Sequence, residues 1–380
     1  MLRRRFAPFA LLWAWIAVVP ASCAKQAPAV APPAPPPAAA PAPSAPPAAA
    51  PRRVAIPDRL SDQEFWQLVT DFSEPNGFFR SENLLSNEVW LQNVIPDLLT
   101  IAKPGRAYLG VGPEQNFTYI TAVKPAIAFI VDVRRGNLNL HLMYKALFEL
   151  SADRVDFVAR LFSRARPAGL SPKSTATEIF AAYWPSQPSD ELFAKNFDAI
   201  VTHLSKTHGF ALSTEDVENI RAVYSQFEMA GPALTYSMGG RGGRNFPTYA
   251  DLMVATDESG TNRSYLANEE NFAFMKALQS RNLLVPVVGN FAGPKAIRAV
   301  AGYLRDRSAI VQTFYLSNVE QYLQMDGLWL DFCRNVATLP IDETSRFIRS
   351  VRNSQFGFPG GLTNQLGLIG EEVTTNSCGM

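Results

Sequence analysis

Apolar and polar positions first fall into a regular rhythm at residue 61. Ser61-Asp62-Gln63-Glu64 forms a capping box ahead of Phe65, Trp66, Leu68, Val69 and Phe72, which predicts a helix start. Asn83 to Ser86 lead into a second predicted helix, with Val89, Trp90, Val94, Ile95, Leu98 and Leu99 at helical spacing and Lys103-Pro104-Gly105 as its stop. The period then changes. Arg106 to Leu109 read as a short buried strand ending at Gly110-Val111-Gly112, residues 117–123 as a brief helix, and 126–132 as a second buried strand ending on Asp132. Residues 138–228 are helical almost throughout (138–149, 152–164, 174–184, 189–208 and 213–228), and the glycine-rich turn at 239–243 closes that run. The alternation then resumes: a strand at 251–256 ending at Asp257, a helix at 268–280, a strand at 283–288 ending at Gly289-Asn290, a helix at 295–306 and a strand at 309–316 ending at Ser317-Asn318. A helix near 328–336, a strand near 345–351 and a glycine-rich, irregular tail complete the pattern. The expected fold class is α/β: a mostly parallel sheet at 53–380, carrying a helical insertion at about 137–240.

The first fifty residues follow other rules. Arg3-Arg4-Arg5 is a basic start, Phe6 to Val19 an apolar run too short to span a bilayer comfortably, and Pro20-Ala21-Ser22-Cys23-Ala24 a stretch of small residues. Residues 1–24 therefore read as a signal peptide, and the protein as exported. Ala21-Ser22-Cys23 resembles the end of a bacterial lipobox, which would make Cys23 a lipidated first residue and the only membrane attachment; plain secretion is the alternative. Residues 25–52 read as a disordered spacer, with 11 prolines and 11 alanines between Pro28 and Pro51. No later apolar run approaches twenty residues, so the body is expected to be soluble.

Composition narrows the chemistry. The 35 basic and 34 acidic residues nearly cancel, and four of the basic ones lie within residues 1–51, which excludes a strongly basic nucleic-acid binder. Hydrophobic residues at 47% suffice for a large core, and three cysteines exclude a disulfide-built scaffold. Cys333 and Cys378 remain over if Cys23 is lipidated, and an oxidising compartment would permit them to pair.

Polar residues at strand ends carry the functional information, because open α/β sheets bind ligands beyond the carboxyl ends of their strands, where strand order reverses. Here those ends are 110–114, Asp132, Asp257, Asn290 and 317–318. Asp132 stands 20 residues beyond Gly112, the spacing at which an acid meets the ribose of a nucleotide held over the first strand. Residues 98–105 followed by Ala107-Tyr108-Leu109-Gly110-Val111-Gly112 resemble the pre-strand helix and first motif of Rossmann-like S-adenosylmethionine-dependent methyltransferases. More narrowly, Gly-Val-Gly-Pro-Glu-Gln-Asn-Phe at 110–117 and Phe-Tyr-Leu-Ser-Asn-Val-Glu-Gln-Tyr-Leu at 314–323 resemble signatures of an uncharacterised bacterial family with a methyltransferase-like core. The resemblance implies S-adenosylmethionine as cofactor, held by Gly110, Gly112, Asp132, Asp257 and Asn290. It departs from the pattern at Glu114, where a third glycine is usual; that carboxylate would either bind the cofactor's amino group or obstruct a retired pocket. No Asn-Pro-Pro-Tyr follows the fourth strand, so methylation of nucleic-acid bases has no support.

Other residues carry weaker signals. Arg241 and Arg244, among glycines, would hold an anionic group or simply flank a hinge. His141, His203 and His208 read as surface or helix-end side chains, since no third or fourth ligand can be assembled around them. Glu320 reads as a capping partner for Ser317. Two functions remain: an enzyme transferring a methyl group, and a non-catalytic exported protein that binds a small molecule on a retained fold. Exported compartments are not expected to contain S-adenosylmethionine, which weighs toward the second.

Overall fold

The computed structural model describes residues 55–236, 246–352, 362–374 and 378, all within one unit spanning Pro51–Met380. The expected signal peptide with Cys23, the 25–52 spacer, and Arg241 and Arg244 lie outside the described residues.

Six strands form one sheet: β1 (Ala107–Gly110), β2 (Ile127–Asp132), β3 (Leu284–Val288), β4 (Val311–Ser317), β5 (Arg346–Arg352) and β6 (Leu362–Leu368), in the order β3-β2-β1-β4-β5-β6. The first five pair in parallel and β6 runs antiparallel to β5. Every residue of β1, β2 and β3 is buried, as strands covered by helices on both faces require. The chain grows from β1 through β2 to β3 on one side, then returns to the other side for β4 and β5. Strand order therefore reverses between β1 and β4, as in doubly wound sheets, and the protein is an α/β chain with a mostly parallel six-stranded mixed sheet, consistent with a Rossmann-like class.

The helices are α1 (Asp62–Phe72), α2 (Ile95–Ile101), α3 (Gln115–Val123), α4 (Arg135–Leu150), α5 (Arg154–Leu161), α6 (Ala176–Tyr183), α7 (Asp190–Thr202) with a π turn at His203–Thr207, and α8 (Thr214–Ala230). Then come α9 (Tyr249–Val254), α10 (Glu269–Ser280), α11 (Ala296–Asp306), α12 (Val319–Met325), α13 (Trp329–Val336) and α14 (Ile369–Thr374). The capping box of α1 forms as read: Ser61 Oγ accepts from Glu64 N, and Glu64 Oε2 accepts from Ser61 N at 2.8 Å. No described helix is long and apolar enough to cross a membrane.

Three expectations need correction. The predicted strand at 251–256 is helix α9. Thr248 Oγ1 accepts from Asp251 N, and Asp251 Oδ2 accepts from Thr248 N, a second capping box that decides an apolar run too short to distinguish strand from helix. Among the described residues between β2 and β3 there is consequently no strand beyond an isolated bridge between Thr235 and Thr248, so the insertion extends well past residue 240. The second helix begins at Ile95, not in the eighties, and residues 83–94 instead turn inward and bury Glu88 and Gln92. The described part of the tail, residues 362–374, is not irregular, since β6 pairs with β5 along its full length and α14 follows it.

Helix α4 is the axis of the insertion. From Asn137 to Phe148 all of its residues are buried, because β3, α8 and α10 pack around it. Phe117 of α3 stands edge-on to Tyr144, Phe148 and Tyr265, with ring centroids 5.1–5.5 Å apart, so the insertion and the sheet share one core.

Cys333 of α13 and Cys378 form a disulfide that closes a 45-residue separation. Loop-closure entropy for such a ring predicts that the double substitution Cys333→Ala/Cys378→Ala lowers stability by about 2–4 kcal/mol. Urea unfolding of both forms checks this; equal midpoints would contradict it.

Candidate functional site

A cleft of about 220 Å³ opens at the carboxyl ends of β1, β2, β3 and β4. Gly112, Asp132, Asn290, Ser317 and Asn318 line it, so four successive strand ends meet at the point of strand reversal. Its volume lies below the ~300–1,000 Å³ usual for small-molecule pockets.

The turn after β1 is held from within. Asn116 of α3 donates from Nδ2 to Val111 O at 2.9 Å and Pro113 O at 2.7 Å, while its Oδ1 accepts from Tyr108 OH at 2.8 Å. A Cβ on Gly110 would lie 1.9 Å from that Oδ1, so glycine at 110 serves this packing and does not line the cleft. Gly112 does line it, with φ +77°, a conformation L side chains rarely adopt. Its carbonyl faces His141 Nε2 at 2.9 Å; since a carbonyl only accepts, Nε2 carries the hydrogen. Burial holds His141 down at about 4, so the ring is neutral at physiological pH.

Asp132 ends β2 with its carboxylate engaged by one residue. Oδ1 accepts from Arg134 N at 2.9 Å and Arg134 Nε at 3.0 Å, and Oδ2 accepts from Arg134 Nη2 at 3.0 Å. Arg134 Nη1 donates onward to Ser81 O and Glu82 O, which ties the strand end to the segment carrying Phe78, Phe79 and Asn83 on the cleft wall. Of the roughly four acceptor positions on a carboxylate, one on Oδ2 remains for a ligand hydroxyl. At the end of β3, Asn290 N and the first turn of α11 (Ala296 N, with Lys295 N) all donate to the Glu74 carboxylate, which fixes Asn290 at the rim.

The floor rests on a residue the sequence reading missed. Buried Glu88 accepts from Tyr315 OH and Ser317 Oγ on Oε1, both at 2.6 Å, and from Asn364 Nδ2 on Oε2 at 2.8 Å. Ser317 thus stands between the cleft and a buried carboxylate, at φ +51° on a sharp strand-to-helix turn. It does not pair with Glu320, which instead accepts from Arg349 Nε at 2.7 Å. A lone acid among Leu84, Leu85, Val89 and Leu91 was the signal available for Glu88.

A family model for a domain of unknown function, DUF7790, matches residues 84–368. The chain belongs to the DUF7790 family. The match begins just before Glu88 and ends with β6, so the DUF7790 domain contains the strand ends of the cleft and both ends of the network beneath it, while the wall residues Phe78, Phe79 and Asn83 precede it. No curated protein matches the chain.

Besides Gly110, two further expected cofactor contacts are placed elsewhere. Glu114 is fully buried beneath the turn; Ser86 N donates to its Oε1 at 3.2 Å, while Oε2 finds no partner among the described residues. Asp257 does not end a strand. It braces a loop after α9, accepting from Ser259 N, Ser259 Oγ, Thr261 N and Arg263 Nε. His203 and His208 are not separate helix-end side chains either, because both meet Glu149 of α4.

Burial, reinforced by the nearby Glu88 carboxylate, pushes Glu114 up to about 8 against the hydrogen bond from Ser86. A folded-state value above the unfolded one means that its contribution is fully present below pH ~4.5 and is lost as pH rises toward 8. In urea unfolding across that window, the protein should lose on the order of 3–5 kcal/mol more stability than Glu114→Gln does. Parallel pH profiles for the two would contradict the assignment.

Proposed function

We propose that this DUF7790 chain is an exported protein whose cleft binds an adenosine-bearing small molecule, S-adenosylmethionine or its demethylated product, on a methyltransferase-type sheet. One observation carries the reading: Gly112 and Asp132 stand at the ends of adjacent parallel strands and face one cleft, on the side where strand order reverses. In that placement the remaining acceptor position on Asp132 Oδ2 takes one ribose hydroxyl, and Gly112 allows the ligand to approach the backbone. Asn290 closes the rim where the purine would lie. Methyl transfer needs chiefly a bound cofactor and an aligned acceptor, so the absence of a recognisable catalytic set is compatible with it.

Export rests on the basic start, the apolar run and the small residues up to Cys23, with the Pro/Ala spacer behind them. The Cys333–Cys378 disulfide supports it, because such bonds persist in oxidising compartments. The same two features favour a second reading. In a compartment without S-adenosylmethionine, and with Asp132 already forked by Arg134, the cleft serves a non-catalytic protein that binds another small molecule.

Calorimetry of the purified protein with S-adenosylmethionine and with its demethylated product separates the two. The first reading predicts binding at one ligand per chain. It also predicts that Asp132→Ala weakens binding by about 1.5–3 kcal/mol, one hydrogen bond to a charged acceptor, in protein shown by circular dichroism to be folded. No heat with either ligand would remove the cofactor reading; affinity unchanged in Asp132→Ala would place the ligand outside this cleft.

A further inference from the structure

About 21 Å along α4 from Arg135, taking 14 residues at helical rise, a second polar centre is built where α4 meets the π turn after α7. Glu149 lies in the last turn of α4, and His203 and His208 bracket the π turn that follows α7. His203 Nε2 and His208 Nε2 each lie 2.6 Å from the same atom, Glu149 Oε2, and the three ligand atoms fall within 4.8 Å of one another. We propose that Glu149, His203 and His208 form a binding site for a divalent transition metal of the zinc type, independent of the cleft.

The backbone is shaped for this convergence. Residues five apart on an α-helix point about 140° away from each other. Here His208 N donates to His203 O at 3.0 Å, an i to i+5 bond that widens the turn and brings both imidazoles to one side. Such π turns are rare and are frequently found at functional sites.

The surroundings orient the donors as metal ligands are oriented. Asp62 Oδ1 accepts from His208 Nδ1 at 2.6 Å, and Nε2 lies as close to Glu149 Oε2, so the metal-free ring donates from both nitrogens; an ion would replace the Nε2 hydrogen and leave Nδ1–H held by Asp62. Lys145 Nζ donates to the other carboxylate oxygen, Oε1, at 2.7 Å, and leaves Oε2 to face the imidazoles. Asn282 closes the ring: its Oδ1 accepts from Lys145 and its Nδ2 donates to Asp62 Oδ1 at 2.8 Å. His208 also stacks on Phe210, with centroids 4.9 Å apart.

Two imidazoles and one carboxylate are a zinc donor set with a fourth position left for water or substrate. Bond lengths of ~2.0–2.1 Å to each donor require the three side chains to open by about 1 Å around an ion. The site is within reach of solvent, as the His203 side chain keeps 18% of its exposure and that of His208 11%.

The test uses the full chain after chelator treatment and dialysis. Zinc titration against a chromophoric chelator should show one tight equivalent per chain, and added zinc should raise the unfolding temperature. His203→Gln should weaken binding at least 100-fold, and Asp62→Asn, which removes the carboxylate supporting His208 and Asn282, by 10–100-fold, both measured in metal-free protein with wild-type circular dichroism. Cobalt(II) should give the visible absorption of a nitrogen–oxygen site, lost in His203→Gln. No stoichiometric binding, or tight binding that both substitutions leave unchanged, would overturn the proposal and leave a proton-linked carboxylate–histidine cluster in its place.

Discussion

The buried carboxylate of Glu88 is the constraint around which the cleft is assembled. It lies in the interior, where an unpaired charge would be prohibitive, and it is compensated by two hydroxyls and an amide from distant parts of the chain. Tyr315 and Ser317 come from β4 and Asn364 from β6, so one side chain fixes the inward turn at 83–94 against two strands. The left-handed backbone of Ser317 is costly for a residue with a Cβ, and its bond to Glu88 offsets that cost. Gln115 at the start of α3 joins the same network by donating to Tyr315 OH at 3.1 Å, which carries the constraint to the turn after β1.

From that floor the walls follow. The Asp132–Arg134 fork positions the segment bearing Phe78 and Phe79, and Glu74 seats the end of β3 on α11. The strand ends are therefore held by carboxylates that each serve two elements, and the space between them stays open while the interior around it is filled. The disulfide and the cleft then have to be read together: an open site at four strand ends, in a chain whose Cys333–Cys378 bond suits an oxidising compartment.

What the sequence made legible was what burial alone dictates. Strands β1 to β3 are near-continuous apolar runs of a covered parallel sheet, β4 is mostly so, and Gly112, Asp132 and Asn290 follow from the topological rule that ligands sit beyond such ends. Glu114 and Asp257 were assigned by motif spacing, which says where a residue falls in the chain but not which way its side chain points. The run at 251–256 was ambiguous in period, and the Thr248–Asp251 capping box was the local signal that resolves it. Strand β6 mixes polar and apolar residues because its partner strand, not its own pattern, stabilises it. His203 and His208 looked unrelated because a spacing of five separates faces on an α-helix, and only the π turn reunites them.

The central claim is that the ligand of this protein sits across the ends of β1, β2 and β3. Amide hydrogen exchange, with and without saturating demethylated S-adenosylmethionine, tests it most directly. Binding there should slow exchange in 110–113, 131–134 and 289–292 together, and leave the insertion around 176–202 unchanged. Protection confined to other segments, or none at all, would contradict it.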